Sequence, residues 1–224
     1  MISNYEITLQ SAMKRFCSYD MESISRKHGI TDRGEYFETR FLGMETKINK
    51  NTGAVTVNGQ PADFCEGLSI FDWLCDGKPD AKAAESFCPV SSLPGVLVRG
   101  QGLLMEAPEL AREIDLQPEK FRNICKNLGG KILNIGDFGV RIDVFPDLPM
   151  EMKFYHSDEE FPPTLTFLWD ANILDFVRYE TVYYICGALK KHLLHKMQHK
   201  KPSPWGEGGS PNGLTDVGIM FSEG

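Results

Sequence analysis

The chain has 224 residues, 24 of them Lys or Arg and 31 Asp or Glu, for a formal charge of −7. That length suits one domain of moderate size or two small ones, and the apolar fraction, 42% as counted and about 48% once Gly replaces Tyr, is globular. Collagen-like, wholly disordered and disulfide-knotted readings are excluded, and a generic nucleic-acid binder is disfavoured because the net charge opposes a polyanion.

Ser3 to His28 reads as an amphipathic helix. Ser3 and Glu6 form a capping box, Leu9, Ala12, Met13 and Phe16 recur at helical spacing, and Gly29 supplies the stop. Tyr36 to Leu42 alternates, with Phe37, Thr39 and Phe41 on one face. Glu45–Asn49 and Val55–Val57 then form a hairpin around Lys50-Asn51-Thr52-Gly53. From Asp63 to Cys75 the spacing of Phe64, Leu68, Phe71, Trp73 and Leu74 predicts a short helix. The stretch from Asp76 to Gln101 is loop-rich, broken by Pro79, Pro89, Pro94 and Gly95.

Two helices follow, Leu103–Ile114 and Pro118–Leu128, the second ended by Gly129-Gly130. The pattern then switches to period two, with strands over Lys131–Ile135, Gly139–Phe145, Met150–Tyr155 and Thr164–Trp169. A long helix from Tyr179 to Gln198 carries Val182, Ile185, Leu189 and Leu193 along one side. Residues 202–224 are rich in Gly, Pro and Ser and form an extension without its own core. The expected fold is α+β: a mostly antiparallel sheet with helices packed on one face and a long C-terminal helix, in a single domain over 1–201.

No stretch reaches the roughly 18 apolar residues of a membrane-spanning helix. The start lacks a basic region followed by an apolar one, so no secretory signal is expected and the expected compartment is the cytoplasm. Six cysteines (Cys17, Cys65, Cys75, Cys88, Cys125, Cys186) then read as buried small hydrophobes in a reducing environment.

The run from Phe121 to Leu193 holds Leu128-Gly129-Gly130, Gly136-Asp137 and Val144-Phe145-Pro146 with Leu148-Pro149. Next come Ser157-Asp158-Glu159-Glu160-Phe161-Pro162, Trp169-Asp170-Ala171-Asn172-Ile173 and the helix beginning near Glu180. In this order the chain resembles the prokaryotic family called domain of unknown function 3786, with a family-like core over about 63–195. The family has no established activity. It occurs largely in anaerobic bacteria and archaea, and some members carry an adjacent small iron–sulfur cluster domain. The resemblance therefore implies an association with iron–sulfur or one-carbon metalloproteins. This chain departs from the fused members, since neither its first helix nor its tail holds a cysteine cluster, and Ser157 stands where the family's turn has Gly.

Three constellations could carry chemistry. Asp158, Glu159 and Glu160 share one turn, and Asp170, Asn172 and Glu180 follow. Such oxygens suit Mg²⁺ or Ca²⁺, or a split acid–base pair, although a solvated turn is the plainer reading. His192, His195 and His199 fall on one side of the last helix at zinc-compatible spacing. Lys196 stands where a metalloprotease helix has Glu, and Lys190, Lys191, Lys200 and Lys201 repel a cation, so a solvated basic helix end is the plainer reading. Cys65, Cys75 and Cys88 are spaced too widely for an ordinary cluster run. No dinucleotide fingerprint, phosphate loop or nucleophile elbow is present.

The charge is unevenly placed. Residues 190–201 carry five lysines and no acid, residues 202–224 carry −3, and residues 1–189 sum to −9. This layout suits a protein partner better than nucleic acid. Two functions follow: a non-catalytic binding or accessory module, or a divalent-metal-dependent enzyme acting on a small substrate through the acidic residues. The sequence names no cofactor and no oligomeric state.

Overall fold

The computed structural model describes residues 4–93 and 105–198. The chain begins with α1 (Asn4–Cys17) and α2 (Met21–Ser25), where one helix is predicted. The break has a local cause. Asp20 is extended (φ −70°, ψ 102°) and its carboxylate accepts the Glu22 N–H at 3.0 Å, which caps a new helix rather than continuing the old one. The expected Ser3 cap lies outside the described residues.

Strands β1 (Thr31–Asp32), β2 (Tyr36–Phe41), β3 (Met44–Asn49), β4 (Val55–Val57) and β5 (Gln60–Pro61) form one antiparallel meander in chain order. The predicted alternation holds, with Phe37, Thr39 and Phe41 buried on β2 and Met44, Thr46 and Ile48 on β3. The β3–β4 turn closes on Asn49, whose side-chain oxygen accepts the N–H groups of Asn51 and Thr52 at 3.0 and 2.9 Å.

A second antiparallel sheet runs in the order β6 (Phe87–Cys88), β10 (Thr164–Asp170), β9 (Leu148–Tyr155), β8 (Phe138–Phe145), β7 (Lys131–Leu133). The α+β class and the antiparallel pairing are as expected, but the strands divide between two sheets. Helices α4 (Pro108–Leu116), α5 (Pro118–Asn127), α6 (Ile173–Phe176) and α7 (Tyr179–Gln198) complete the described chain, with α7 at its predicted bounds. On one face of the second sheet Arg141 stands directly across from Glu151, with Lys153 two residues further along β9.

Packed against α1 and α7 is α3 (Phe64–Asp76), ten of whose 13 residues are buried. A helix apolar on all sides belongs inside a protein. Asp63 and Glu66 form a capping box at its start. At its end Lys27 Nζ donates to the Trp73 and Gly77 carbonyls at 2.9 and 3.2 Å, a cation placed on the negative end of the helix dipole. Burial pushes that ammonium below its ordinary pKa.

The two sheets meet where the Leu42 N–H donates to the Val144 carbonyl at 2.8 Å. Phe145 lies 5.1 Å from Phe41 and stacks on Trp73 at 4.5 Å, so one ring joins both sheets to α3. Gly43, at φ 74°, turns β2 into β3 at this seam. A Cβ there would stand 2.0 Å from the Leu128 carbonyl oxygen. Gly43→Ala is thus expected to combine a left-handed backbone penalty with a clash against α5's end. It should lower the unfolding free energy by at least ~2 kcal/mol in urea titrations. None of the described helices is long and apolar enough to cross a membrane.

Candidate functional site

The structure separates the acidic residues that the sequence groups together. Asp158 sits in the β9–β10 turn, where its Oδ1 accepts the N–H groups of Glu160 and Phe161, both at 2.8 Å. That is an Asx turn closed on itself, and Asp158, Glu159 and Glu160 are exposed. Asp170 lies at the far end of β10, whose seven residues span about 20 Å.

Asp170 is fully buried. Its Oδ1 accepts the N–H groups of Ala84 and Asn172 and its Oδ2 that of Glu85, all at 2.9 Å. Asn172 Nδ2 adds a bond to the Lys82 carbonyl at 3.0 Å. Asp170 and Asn172 therefore fasten the 82–86 loop to the sheet. Glu180 starts α7, in a different cleft again.

The histidines and cysteines are also dispersed. His192 pairs through Nε2 with Glu66, whose other oxygen accepts the Asp63 N–H at 2.7 Å. Lys191 Nζ lies 2.7 Å from Asp63. The expected solvated basic end is therefore partly corrected: Lys191 and His192 tie α7 onto the acidic start of α3. His195 lines another cavity with Arg40, Asn58, Asn127 and Lys196, and His199 lies outside the described residues.

Cys65 and Cys75 are ten residues apart on α3, about 15 Å along its axis, and Cys88 is on the edge strand β6. Burial raises all three thiols, Cys75 to about 11, so they favour the protonated form over a metal-binding thiolate. Among the described residues no three His, Cys, Asp or Glu side chains gather as metal ligands.

One arrangement has the composition of a catalytic triad without its wiring. His156 Nδ1 lies 2.7 Å from Asp115 Oδ1, but the Ser157 hydroxyl donates to Asp115 Oδ2 at 2.6 Å. The hydroxyl is held by the carboxylate, not by the imidazole that would have to activate it. These bonds hold the Asp115 carboxyl below its ordinary pKa, Ser157 contributing most.

A network of charged groups around one buried carboxylate, Asp72, lies elsewhere, where α1, α3 and α7 meet around an open cleft of about 550 Å³. Arg15 reaches across from α1, with Nη2 3.0 Å from Asp72 Oδ1 and Nη1 2.9 Å from Asp76 Oδ1. Arg178 Nη2 meets the other Asp76 oxygen at 2.7 Å. The Thr181 hydroxyl donates to Asp72 Oδ2 at 2.5 Å. Glu180 and Tyr184 close the cleft from α7, and Ile7, Ala12 and Leu68 give it an apolar wall.

The sequence profile of the family described as domain of unknown function 3786 matches residues 20–192. The chain belongs to that family. No curated protein and no solved structure matches the chain. The family match starts at Asp20, not near Asp63, so it takes in the first sheet as well as the second. It also includes Asp72, Asp76, Arg178, Glu180, Thr181 and Tyr184. Helix α1, and with it Arg15, precedes the matched span, so in this member of domain of unknown function 3786 a segment outside the matched span completes the cleft.

The sequence does hold a signal for this cleft. Asp72 interrupts the apolar run Leu68–Leu74 of α3, and a carboxylate in such a place requires a partner. Asp76, one turn on, shares its face.

Asp72 is only 8% exposed, and burial raises its carboxyl above 3.8 against the Thr181 hydrogen bond and the two guanidiniums; Asp76 pushes the same way. The folded chain therefore binds this proton more tightly than the unfolded chain does. Asp72's own contribution to stability should fall as pH rises from 3.8 through the raised value and then level off, against the opposite trend of carboxylates held low, such as Asp63 and Asp115. Urea unfolding across a pH series should show it as the difference between wild type and Asp72→Asn.

Proposed function

We propose that this chain is a non-catalytic binding or accessory module acting in the cytoplasm of an anaerobic prokaryote. Asp170 carries the reading. The one buried carboxylate among the acidic candidates has its oxygens occupied by three backbone N–H groups, and so serves the fold rather than a reaction. Asp158, His192 and the Asp115–His156–Ser157 group support it in the same way, each engaged with its own neighbours.

The family resemblance suggests the partner class, an iron–sulfur or one-carbon metalloprotein. Among the described residues no group of side chains is placed to hold a cluster, so such a partner would bring its own. An acidic body with a basic end, part of it already tied to α3, favours a salt-sensitive encounter.

Light scattering of the full chain mixed with a small [4Fe–4S] carrier protein tests this. A complex that weakens as salt rises is the expected result. No complex at low salt, together with turnover of a chromogenic ester or phosphoester that needs added Mg²⁺ and is lost in Asp158→Ala, would overturn it.

A further inference from the structure

The cleft that His195 and Lys196 line, about 550 Å³, combines apolar and basic side chains. Its apolar part is Met44 at the start of β3 with Ile124 and Leu128 at the end of α5. Arg40 and Lys196 stand beside them against a single acid, Glu45, whose carboxylate lies 2.7 Å from Lys47 Nζ. Lys196 makes no hydrogen bond or ion pair to another described residue, so its ammonium is uncompensated there.

A counterpart of opposite charge stands near the other end of α5. Phe161, 65% exposed, follows Asp158-Glu159-Glu160 in the β9–β10 turn and precedes Pro162-Pro163. The turn is closed from both sides: the Phe161 N–H donates to Asp158 Oδ1 at 2.8 Å, and the Asp158 N–H donates to the Phe161 carbonyl at 3.0 Å. Leu116, 77% exposed, adjoins it, because Asp115 beside it bonds to His156 and Ser157. The aromatic side chain is thus presented on backbone already ordered, which lowers the entropy cost of docking it.

Gln117 alone separates Leu116 from α5, whose ten residues carry the chain about 15 Å to the cleft. Turn and cleft therefore cannot meet within one molecule. A chain of charge −7 repels its own copies unless the contact brings opposite charges together. We propose that the Phe161 turn of one copy docks in the basic cleft of a second copy, its ring on Ile124 and Leu128 and its carboxylates, Glu159 and Glu160, against Arg40 and Lys196. The proposal goes beyond the module reading and does not rest on it.

Two different surfaces make this contact, so it is head-to-tail. Each copy that docks still offers a turn or a cleft to the next, which gives open chains or a closed ring and not a two-fold dimer. Exposed charges carry part of the attraction, so salt weakens it.

The test is sedimentation velocity of the full chain over a concentration series at low and high salt. The expected result is association that grows with concentration and weakens as salt rises. Phe161→Ser, which keeps the cleft, and Lys196→Glu, which keeps the turn, should each weaken it about tenfold or more. An equimolar mixture of the two variants should associate again and stop at a one-to-one dimer, since only one turn and one cleft remain intact. Carbodiimide cross-linking of wild type should join Lys196 of one copy to Glu159 or Glu160 of another. A wild type that stays monomeric at low salt, or a mixture that associates no better than either variant alone, would refute the contact. Links from Lys196 to Glu207, Asp216 or Glu223 within one chain would also refute it, by giving the cleft to the chain's own C-terminal segment. A monomeric chain that still binds the cluster carrier would sink this inference and leave the module reading standing.

Discussion

Asp170→Ala is expected to lower the unfolding free energy by about 4 kcal/mol, the largest effect of any single substitution considered for this chain. The carboxylate is fully buried and accepts three backbone N–H groups, those of Ala84, Glu85 and Asn172. Removing it leaves three donors without their acceptor, each worth about 1–3 kcal/mol, less what the exposed residues Ala84, Glu85 and Asn172 recover from water. Asp170→Asn keeps one oxygen acceptor and should cost about half as much. Hydrogen exchange localises the effect: protection should be lost at Ala84 and Glu85 before the strands open.

His192→Ala is expected to cost about 3 kcal/mol for a different reason. Its imidazole is the partner of Glu66, whose side chain is only 4% exposed and whose second oxygen holds the Asp63 N–H of the capping box. Truncating the histidine strands a buried carboxylate at the start of the central helix. A second substitution separates this from a simple packing loss. Glu66→Gln keeps an acceptor for Asp63 without the charge, so the double variant should be more stable than His192→Ala alone. Urea unfolding of the four proteins gives the coupling directly.

Much of the fold was legible because its periodicities are strong. Val182, Ile185, Leu189 and Leu193 recur along α7 and gave its bounds, and the alternation of Phe37, Thr39 and Phe41 gave β2. The capping residues Asp63 and Glu66 were in view, yet their pairing with Lys191 and His192 joins positions more than 120 apart, which no local pattern encodes. The division into two sheets was hidden for a similar reason. It depends on where β2 and β8 pass, at Leu42 and Val144, and on one ring, Phe145, shared between layers.

The candidate site was less legible than the fold. Proximity in sequence suggested that Asp158 and Asp170 converge, but an extended strand carries its ends apart, and β10 does so here. Conversely Arg15, Asp72 and Arg178, remote in sequence, meet in one network because two long helices and the central one pack side by side. The signal for it is local: Asp72, a buried carboxylate in the apolar middle of α3.

At the centre of this account is the proposal that Asp158 and Asp170 serve the chain's own backbone and His192 its own Glu66, and that none of them serves a metal. Thermal unfolding of wild type, Asp158→Ala, Asp170→Ala and His192→Ala, each with and without Mg²⁺, Ca²⁺ or Zn²⁺, tests it most directly. The account predicts that Asp170→Ala and His192→Ala melt low and Asp158→Ala near wild type, with no metal ion moving any of the four midpoints. A metal-induced rise in the wild-type midpoint that disappears in Asp158→Ala and Asp170→Ala alike would contradict it.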